Sequence, residues 1–271
     1  MDVSSDSWTL LWQSIVLGVV EGVTEFLPVS STGHLILAGR LIGFEGDVAG
    51  TFEVVIQLGA ILAVVWLFRE RFLGLASMGR GEGFHGRRGV GMLVLTTVPA
   101  LILGPLFHPV IKTYLFEAKM VAVGLTIGSL WIFAVEYGYR QDRPKPLDGI
   151  TWKMALGIGV FQCLAMWPGM SRSASTILGG MLLGLNRRAA TEYSFFAAVP
   201  MMVAATVYDL YKSWGTFDAQ GWWVLGVGFV MAFLSALVAV KAFVQFISRH
   251  TFVPFAWYRL GVAAVVFYVL W

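Results

Sequence analysis

Two short polar stretches interrupt an otherwise apolar chain, and each is rich in groups that bind or cleave phosphate. The first contains Glu21, Glu25, Pro28, Ser30, Ser31, Thr32, Gly33 and His34; the second contains Pro168, Gly169, Ser171, Arg172, Ser173, Ser175 and Thr176. Glu21 and Glu25 are four residues apart and share one face of a helix. Side by side in low dielectric they resist ionising together, so they suit a divalent cation or the work of a general base. A snorkelling carboxylate pair is the plainer alternative, but Val19, Val20, Val23, Phe26 and Leu27 surround them. After Pro28, any of Ser30, Ser31 and Thr32 is a natural N-cap for the apolar run Leu35 to Ile42, which leaves backbone N–H groups facing the break. Such an end binds anions, and its hydroxyls can act as nucleophiles. His34, nearly one turn beyond Ser31, is placed for proton transfer or for nucleophilic attack, with hydrogen-bonded packing as the alternative. Arg172 lies inside a hydrophobic segment and therefore needs an anion. Its planar fork fits phosphate oxygens; the alternative is an ion pair with Glu21 or Glu25, or each partner in turn.

The elements that must position these groups are membrane helices. Of the 271 residues 58% are hydrophobic and 13% charged, with mean hydropathy +0.75. A soluble domain carries about 25% charged residues, so the composition is that of an integral membrane protein. The single cysteine, Cys163, excludes an internal disulfide framework and reads as small apolar packing. The basic residues are spread between hydrophobic segments rather than gathered on one patch, which argues against a nucleic-acid partner. Asp2 and Asp6 and the lack of a basic leader predict that the first hydrophobic stretch is retained.

A span takes about 20 apolar residues. Six stretches meet this, at 52–68, 89–109, 119–137, 190–211, 222–247 and 254–271. Two others, 8–43 and 152–184, are too long for one helix and are interrupted by Pro28 and by Pro168-Gly169. Broken backbone survives at membrane depth only where protein buries it or water reaches it, so both are expected to be re-entrant helical hairpins. Eleven of the nineteen basic residues fall at one side: Arg69, Arg71, Arg80, Arg87, Arg88, Arg140, Arg143, Lys145, Arg187, Arg188 and Arg249. The positive-inside rule puts them in the cytoplasm and both termini outside. The first hairpin then enters from the outer face and the second from the inner. Gly18-Val19-Val20-Glu21, Pro28 and Gly39 are echoed about 140 residues later by Gly159-Val160-Phe161-Gln162, Pro168 and Gly179. The expected fold is therefore a single all-α membrane domain over 1–271, an inverted repeat of six spanning helices and two re-entrant hairpins. Its broken helices meet near the midplane.

Other residues are less specific. Lys241 and Arg259 are placed toward cytoplasmic span ends and are expected to snorkel. Trp8, Trp12, Trp152, Trp222, Trp223 and Trp271 suit interfacial anchoring. Gly124 with Gly128, and Gly226 with Gly228, allow close helix packing within a subunit or between the subunits of a homodimer.

The two motifs, Glu21-x-x-x-Glu25-Phe-Leu-Pro-Val-Ser-Ser-Thr-Gly-His34 and Pro168-Gly-Met-Ser-Arg-Ser-Ala-Ser-Thr176, together resemble those of undecaprenyl pyrophosphate phosphatase of the bacitracin-resistance type. Their order, separation and the chain length extend the resemblance over essentially the whole sequence. It implies a bacterial plasma-membrane enzyme, with its active site open to the outer face, that hydrolyses a C55 polyprenyl diphosphate lipid to the monophosphate carrier of peptidoglycan synthesis. Bacitracin resistance and a divalent-cation requirement, Mg²⁺ or Ca²⁺ at Glu21 and Glu25, are implied too. On this reading Arg172, Ser30, Thr32, Gly33, Ser171, Ser173 and Thr176 bind phosphate. Ser31 attacks phosphorus with His34 or a glutamate as base, or His34 itself attacks, or water attacks directly. Two rivals remain: a transporter or flippase of lipid phosphate or a small anion, which needs anion ligands but no nucleophile, and a non-catalytic envelope assembly factor, which needs no buried charge.

Overall fold

The computed structural model describes residues 3–44, 47–77, 83–115, 117–138, 144–212 and 219–270. Arg80, Arg140, Arg143 and Trp271 lie outside them. Within them the chain is all helix, apart from one isolated bridge between Lys145 and Leu185. The α-helices are α1 (Val3–Thr24), α2 (Ser31–Ile42), α3 (Asp47–Leu67), α4 (Arg69–Ala76), α5 (Gly86–Tyr114), α6 (Ala118–Gly138), α7 (Trp152–Gln162), α8 (Arg172–Leu182), α9 (Arg187–Lys212), α10 (Ala219–Ile247) and α11 (Val253–Leu270). Five helices contain stretches long and apolar enough to cross a membrane: Gly50–Leu67, Gly86–Phe107, Lys119–Gly138, Arg187–Tyr208 and Gly221–Ile247. The expected sixth span, 254–271, forms a shorter apolar helix over Val253–Tyr268. The protein is thus an all-α, multi-pass integral membrane protein.

Both long segments break where the prolines predicted. The first is α1, a turn over 25–30, then α2; the second is α7, a 3-10 turn at Cys163–Met166, a non-helical stretch, then α8. The basic stretch 69–88 differs from a simple loop. It holds α4, whose exposed Arg71 pairs with Asp148 at 3.2 Å, and the first turn of α5.

The packing that holds the breaks is glycine-mediated. α1 lies along α10, α7 along α5, α3 along α10 and α9, and α6 along α11. A Cβ on Gly22 would run into the Ala232 carbonyl and the Ser235 hydroxyl of α10. One on Gly159 would meet the Thr96 carbonyl of α5. Gly124 is equally closed by the Pro168 carbonyl, Gly128 by Arg259, and Gly228 by Phe52, so these three serve contacts inside the subunit, while Gly226 faces open space. Gly22→Ala is therefore expected to destabilise the protein by about 1–3 kcal/mol through overpacking against backbone. Gly91→Ala, with nothing nearby, should be neutral; thermal unfolding in detergent compares the two. At the periphery Trp8, Trp12, Trp152, Trp222 and Trp223 are all exposed, as interfacial anchors require.

Candidate active site

The two breaks meet at a cavity of about 160 Å³ lined by Glu25, Ser30, Ser31, Thr32, Gln57, Trp167, Ser171 and Arg172, among others. Each break delivers the first turn of a short helix, capped by a serine. Ser30 (φ 72°) and Ser171 (φ 73°) are the two non-glycine residues with left-handed φ among those described. That conformation costs about 1–3 kcal/mol per residue, so surrounding contacts must enforce it. Ser171 caps α8 through its side chain, accepting from the Ala174 N–H at 3.2 Å, whereas Ser30 makes no side-chain cap bond.

Chemistry centres on Glu25. Its Oε2 accepts a hydrogen bond from the Ser31 hydroxyl at 2.5 Å, and its Oε1 accepts from Arg172 Nη2 at 2.9 Å. A carboxylate poised on a hydroxyl can take its proton, and an arginine alongside can hold the oxyanion that attack on phosphorus creates. The ion pair joins the first break to the second and is almost wholly buried, at 10% and 7% exposure. Arg172 Nη1 also donates to the Ser194 carbonyl at 3.0 Å, its guanidinium stacks 5.5 Å from the Phe26 ring, and its Nε has no partner among the described residues. Of the two glutamates that sequence offered as ion-pair partners, Glu25 is the one Arg172 meets.

Glu21 is fully buried one turn back, beneath Glu25, and both its carboxylate oxygens lack hydrogen-bond partners among the described residues. The described residues contain no cluster of three or more His, Cys, Asp or Glu side chains placed to hold a metal. The pair alone is nevertheless compatible with a hard cation: an orphaned carboxylate beside a second one wants positive charge. Mg²⁺ commonly takes only one or two protein carboxylates and completes its shell with substrate phosphates and water.

His34 stands apart from Ser31. Its Nδ1 lies 2.7 Å from the Ser30 carbonyl, which can only accept, so Nδ1 carries the proton. Its Nε2 lies 2.7 Å from the Tyr258 hydroxyl, and the two rings stack at 5.5 Å. In the second break, Ser173 and Thr176 are committed internally. Ser173 Oγ donates to the Leu27 carbonyl at 2.7 Å, tying the breaks together, and Thr176 Oγ1 donates to the Arg172 carbonyl and contacts Ser194 Oγ at 2.6 Å. Neither lines the cavity, nor do Gly33, His34 and Glu21.

Sequence reading passed over Gln57, Trp167, Ser194 and Tyr258, and it misplaced Arg259. Arg259 does not snorkel. It has 0% exposure and turns inward to donate to the carbonyls of Pro28, Gly124, Leu125, Gly169 and Met170 at 2.8–3.4 Å. The reason is that unwound backbone at both breaks presents free carbonyls within reach of α11, and these compete successfully with the interface. Gln57 had a usable signal, a polar side chain in an apolar span; Ser194 had none.

The chain is similar over nearly its whole length to proteins named for one activity. The chain is 57% identical over 255 residues to the undecaprenyl-diphosphatase of Solidesulfovibrio magneticus, covering 94% of this chain and 96% of the relative. It is 54% identical over 255 residues to that of Nitratidesulfovibrio vulgaris strain DP4 (94% and 96%), and 53% identical over 260 residues to that of Maridesulfovibrio salexigens (96% and 98%). The family described as bacitracin resistance protein BacA matches residues 14–265, and the chain belongs to that family.

Proposed function

We propose that the protein is an undecaprenyl-diphosphate phosphatase, releasing inorganic phosphate to leave the monophosphate carrier lipid for cell-wall synthesis and thereby conferring bacitracin resistance. The observation that carries this reading is the Ser31 hydroxyl donating to Glu25 at 2.5 Å with Arg172 on the same carboxylate. The Ser31 Oγ–H proton passes to Glu25 as Oγ bonds to the terminal phosphorus. The bridging P–O bond breaks, and its electrons leave with the lipid monophosphate. Arg172 and the N–H groups of the two helix starts hold the equatorial oxygens, where charge collects. The lipid monophosphate takes the proton from Glu25; water, deprotonated in turn by the freed carboxylate, attacks the phosphoserine phosphorus, the P–Oγ bond breaks, and Ser31 Oγ regains its proton from Glu25 as inorganic phosphate leaves. His34, held by Ser30 and Tyr258, acts here to fix the first turn of α2 rather than as the nucleophile.

Glu21 and Glu25 are the residues that would hold Mg²⁺ or Ca²⁺, which would supply charge neutralisation for the diphosphate. Glu21→Gln keeps shape and removes one charge. The metal concentration giving half-maximal phosphate release is expected to rise about tenfold or more, the scale on which even outer-shell changes weaken metal sites. Direct Mn²⁺ binding to the purified variant should weaken in parallel, and an unchanged metal dependence would remove Glu21 from the site.

The architecture is read as one domain, an inverted repeat of six spans and two re-entrant hairpins meeting near the midplane. Supporting this are the paired left-handed serines, 141 residues apart, and the matching placement of Gly18 on α10 and Gly159 on α5. The charge asymmetry supports a bacterial plasma-membrane protein with both termini and the cavity toward the outer face. Introduced cysteines at positions 8 and 250 should label from opposite sides of intact vesicles.

A transporter of lipid phosphate is the rival reading. A carrier needs anion ligands but gains nothing from a hydroxyl bonded to a carboxylate. Purified protein in detergent, with undecaprenyl diphosphate and Mg²⁺ or Ca²⁺, separates the two: phosphate release without compartments supports the enzyme, and none in either metal supports transport.

A further inference from the structure

Arg259 is a fully buried guanidinium, and none of its partners among the described residues is a carboxylate. Burying a cation this way is expensive and marks a functional position. Its bonds are spent on a particular set of atoms. One arm of the fork donates to Pro28 O at 3.1 Å in the first break and to Met170 O at 3.2 Å in the second. The other reaches Gly169 O at 2.8 Å and two carbonyls of α6. One side chain from the last helix therefore holds both breaks to each other and to α6.

The direction of those carbonyls matters. All described peptide bonds are trans, and in a trans peptide the C=O of one residue and the N–H of the next point oppositely. Met170 C=O faces Arg259, so the Ser171 N–H faces away from it. Ser171 lines the cavity, and its N–H has no acceptor among the described residues. The same anchoring keeps Ser171 at φ 73°, a conformation a serine does not hold unaided.

We propose that Arg259 is a positioning residue for the reaction: by binding the carbonyls of Pro28, Gly169 and Met170 it fixes the two breaks in register and aims the Ser171 N–H into the cavity as a donor to the transferring phosphoryl group. The proposal rests on the hydrolase reading. It assigns Arg259 no contact with substrate.

Gly128 offers a way to move Arg259 without changing it, because a Cβ there would overlap Arg259 Nη2 and crowd Met170 O. Gly128→Ala, Arg259→Lys and Arg259→Met are compared with wild type and with Gly226→Ala, whose added methyl meets nothing. Each full-length protein is purified, its folded fraction measured by size exclusion and thermal unfolding, and kcat and KM determined with undecaprenyl diphosphate. Loss of an aligned donor to an oxyanion costs about 10²–10³ in kcat. Gly128→Ala and Arg259→Met are therefore expected to lose about a hundredfold in kcat per folded molecule with KM changed less than threefold. Arg259→Lys, which retains charge but not the fork, should recover part of the loss, and Gly226→Ala should match wild type. Variants that fold and keep wild-type kcat would overturn the proposal, as would a fall in folded fraction alone, or failure of all three to fold. Wild type that releases no phosphate would instead sink the hydrolase reading, and this inference with it.

Discussion

Ser31→Ala is expected to lower kcat by about 10⁴-fold or more while KM changes little, the scale on which removal of a hydroxyl nucleophile acts. Among the described residues Ser31 is the one cavity hydroxyl bonded to a carboxylate, and its oxygen sits at the start of α2, where the proton can leave without moving the backbone. Ser30 and Ser171, also on the cavity wall, stand at the N-cap positions of α2 and α8 with left-handed φ, and neither bonds a carboxylate among the described residues. Removing the Ser31 hydroxyl leaves the phosphate-binding groups intact, so substrate still binds. The check is rapid quench with terminally labelled lipid diphosphate: wild type should accumulate label on protein, and Ser31→Ala none. A variant retaining more than a tenth of wild-type kcat would mean that water attacks directly and Ser31 only binds phosphate.

Arg172→Ala is the second large effect, a fall of about 10³–10⁵ in kcat, as for arginines that neutralise charge in phosphoryl transfer. Lysine should restore only a small part, since a point charge cannot span two oxygens. Stability is also at stake, because Arg172 is the buried partner of Glu25. Breaking such a pair costs about 3–5 kcal/mol by stranding the other charge. The double variant Arg172→Ala/Glu25→Gln is therefore expected to regain much of the lost stability while remaining inactive. Thermal unfolding and turnover measured on one preparation read both quantities. Activity returning together with stability would mean that Arg172 serves the fold and not the reaction.

How far these features were legible in the sequence follows from what kind of signal each left. The breaks were readable because Pro28 and Pro168-Gly169 make continuous helix impossible and the clustered hydroxyls make a cap natural. Arg172 was readable because charge at membrane depth must have a partner, although periodicity left Glu21 and Glu25 equivalent. Only the three-dimensional meeting of the first break with α8 separates them, giving the two oxygens of Glu25 to Arg172 and Ser31 and leaving those of Glu21 without a hydrogen-bond partner among the described residues. His34 fell one turn from Ser31 on a helical wheel, yet the Tyr258 ring, 224 residues away, sets its orientation. Arg259 was misread because, six residues past the start of the last helix, snorkelling and inward burial look alike in sequence. What decides is the presence of unwound carbonyls contributed by residues 28, 169 and 170.

The bond between Arg259 and Pro28 spans 231 residues, and that between Arg172 and Glu25 spans 147. During synthesis, then, the first break is made while its acids and open carbonyls have partners that do not yet exist. At about 5–20 residues per second the ribosome takes about 7–30 s to supply Arg172 and longer for Arg259. Through that interval the nascent segment must be sheltered by the insertion machinery or by lipid headgroups. A ribosome stalled short of position 259 yields a chain that has all its hydroxyls and carboxylates and no completed site. Quality control that senses exposed polar groups within the bilayer would therefore distinguish finished from unfinished copies by the arrival of one late arginine.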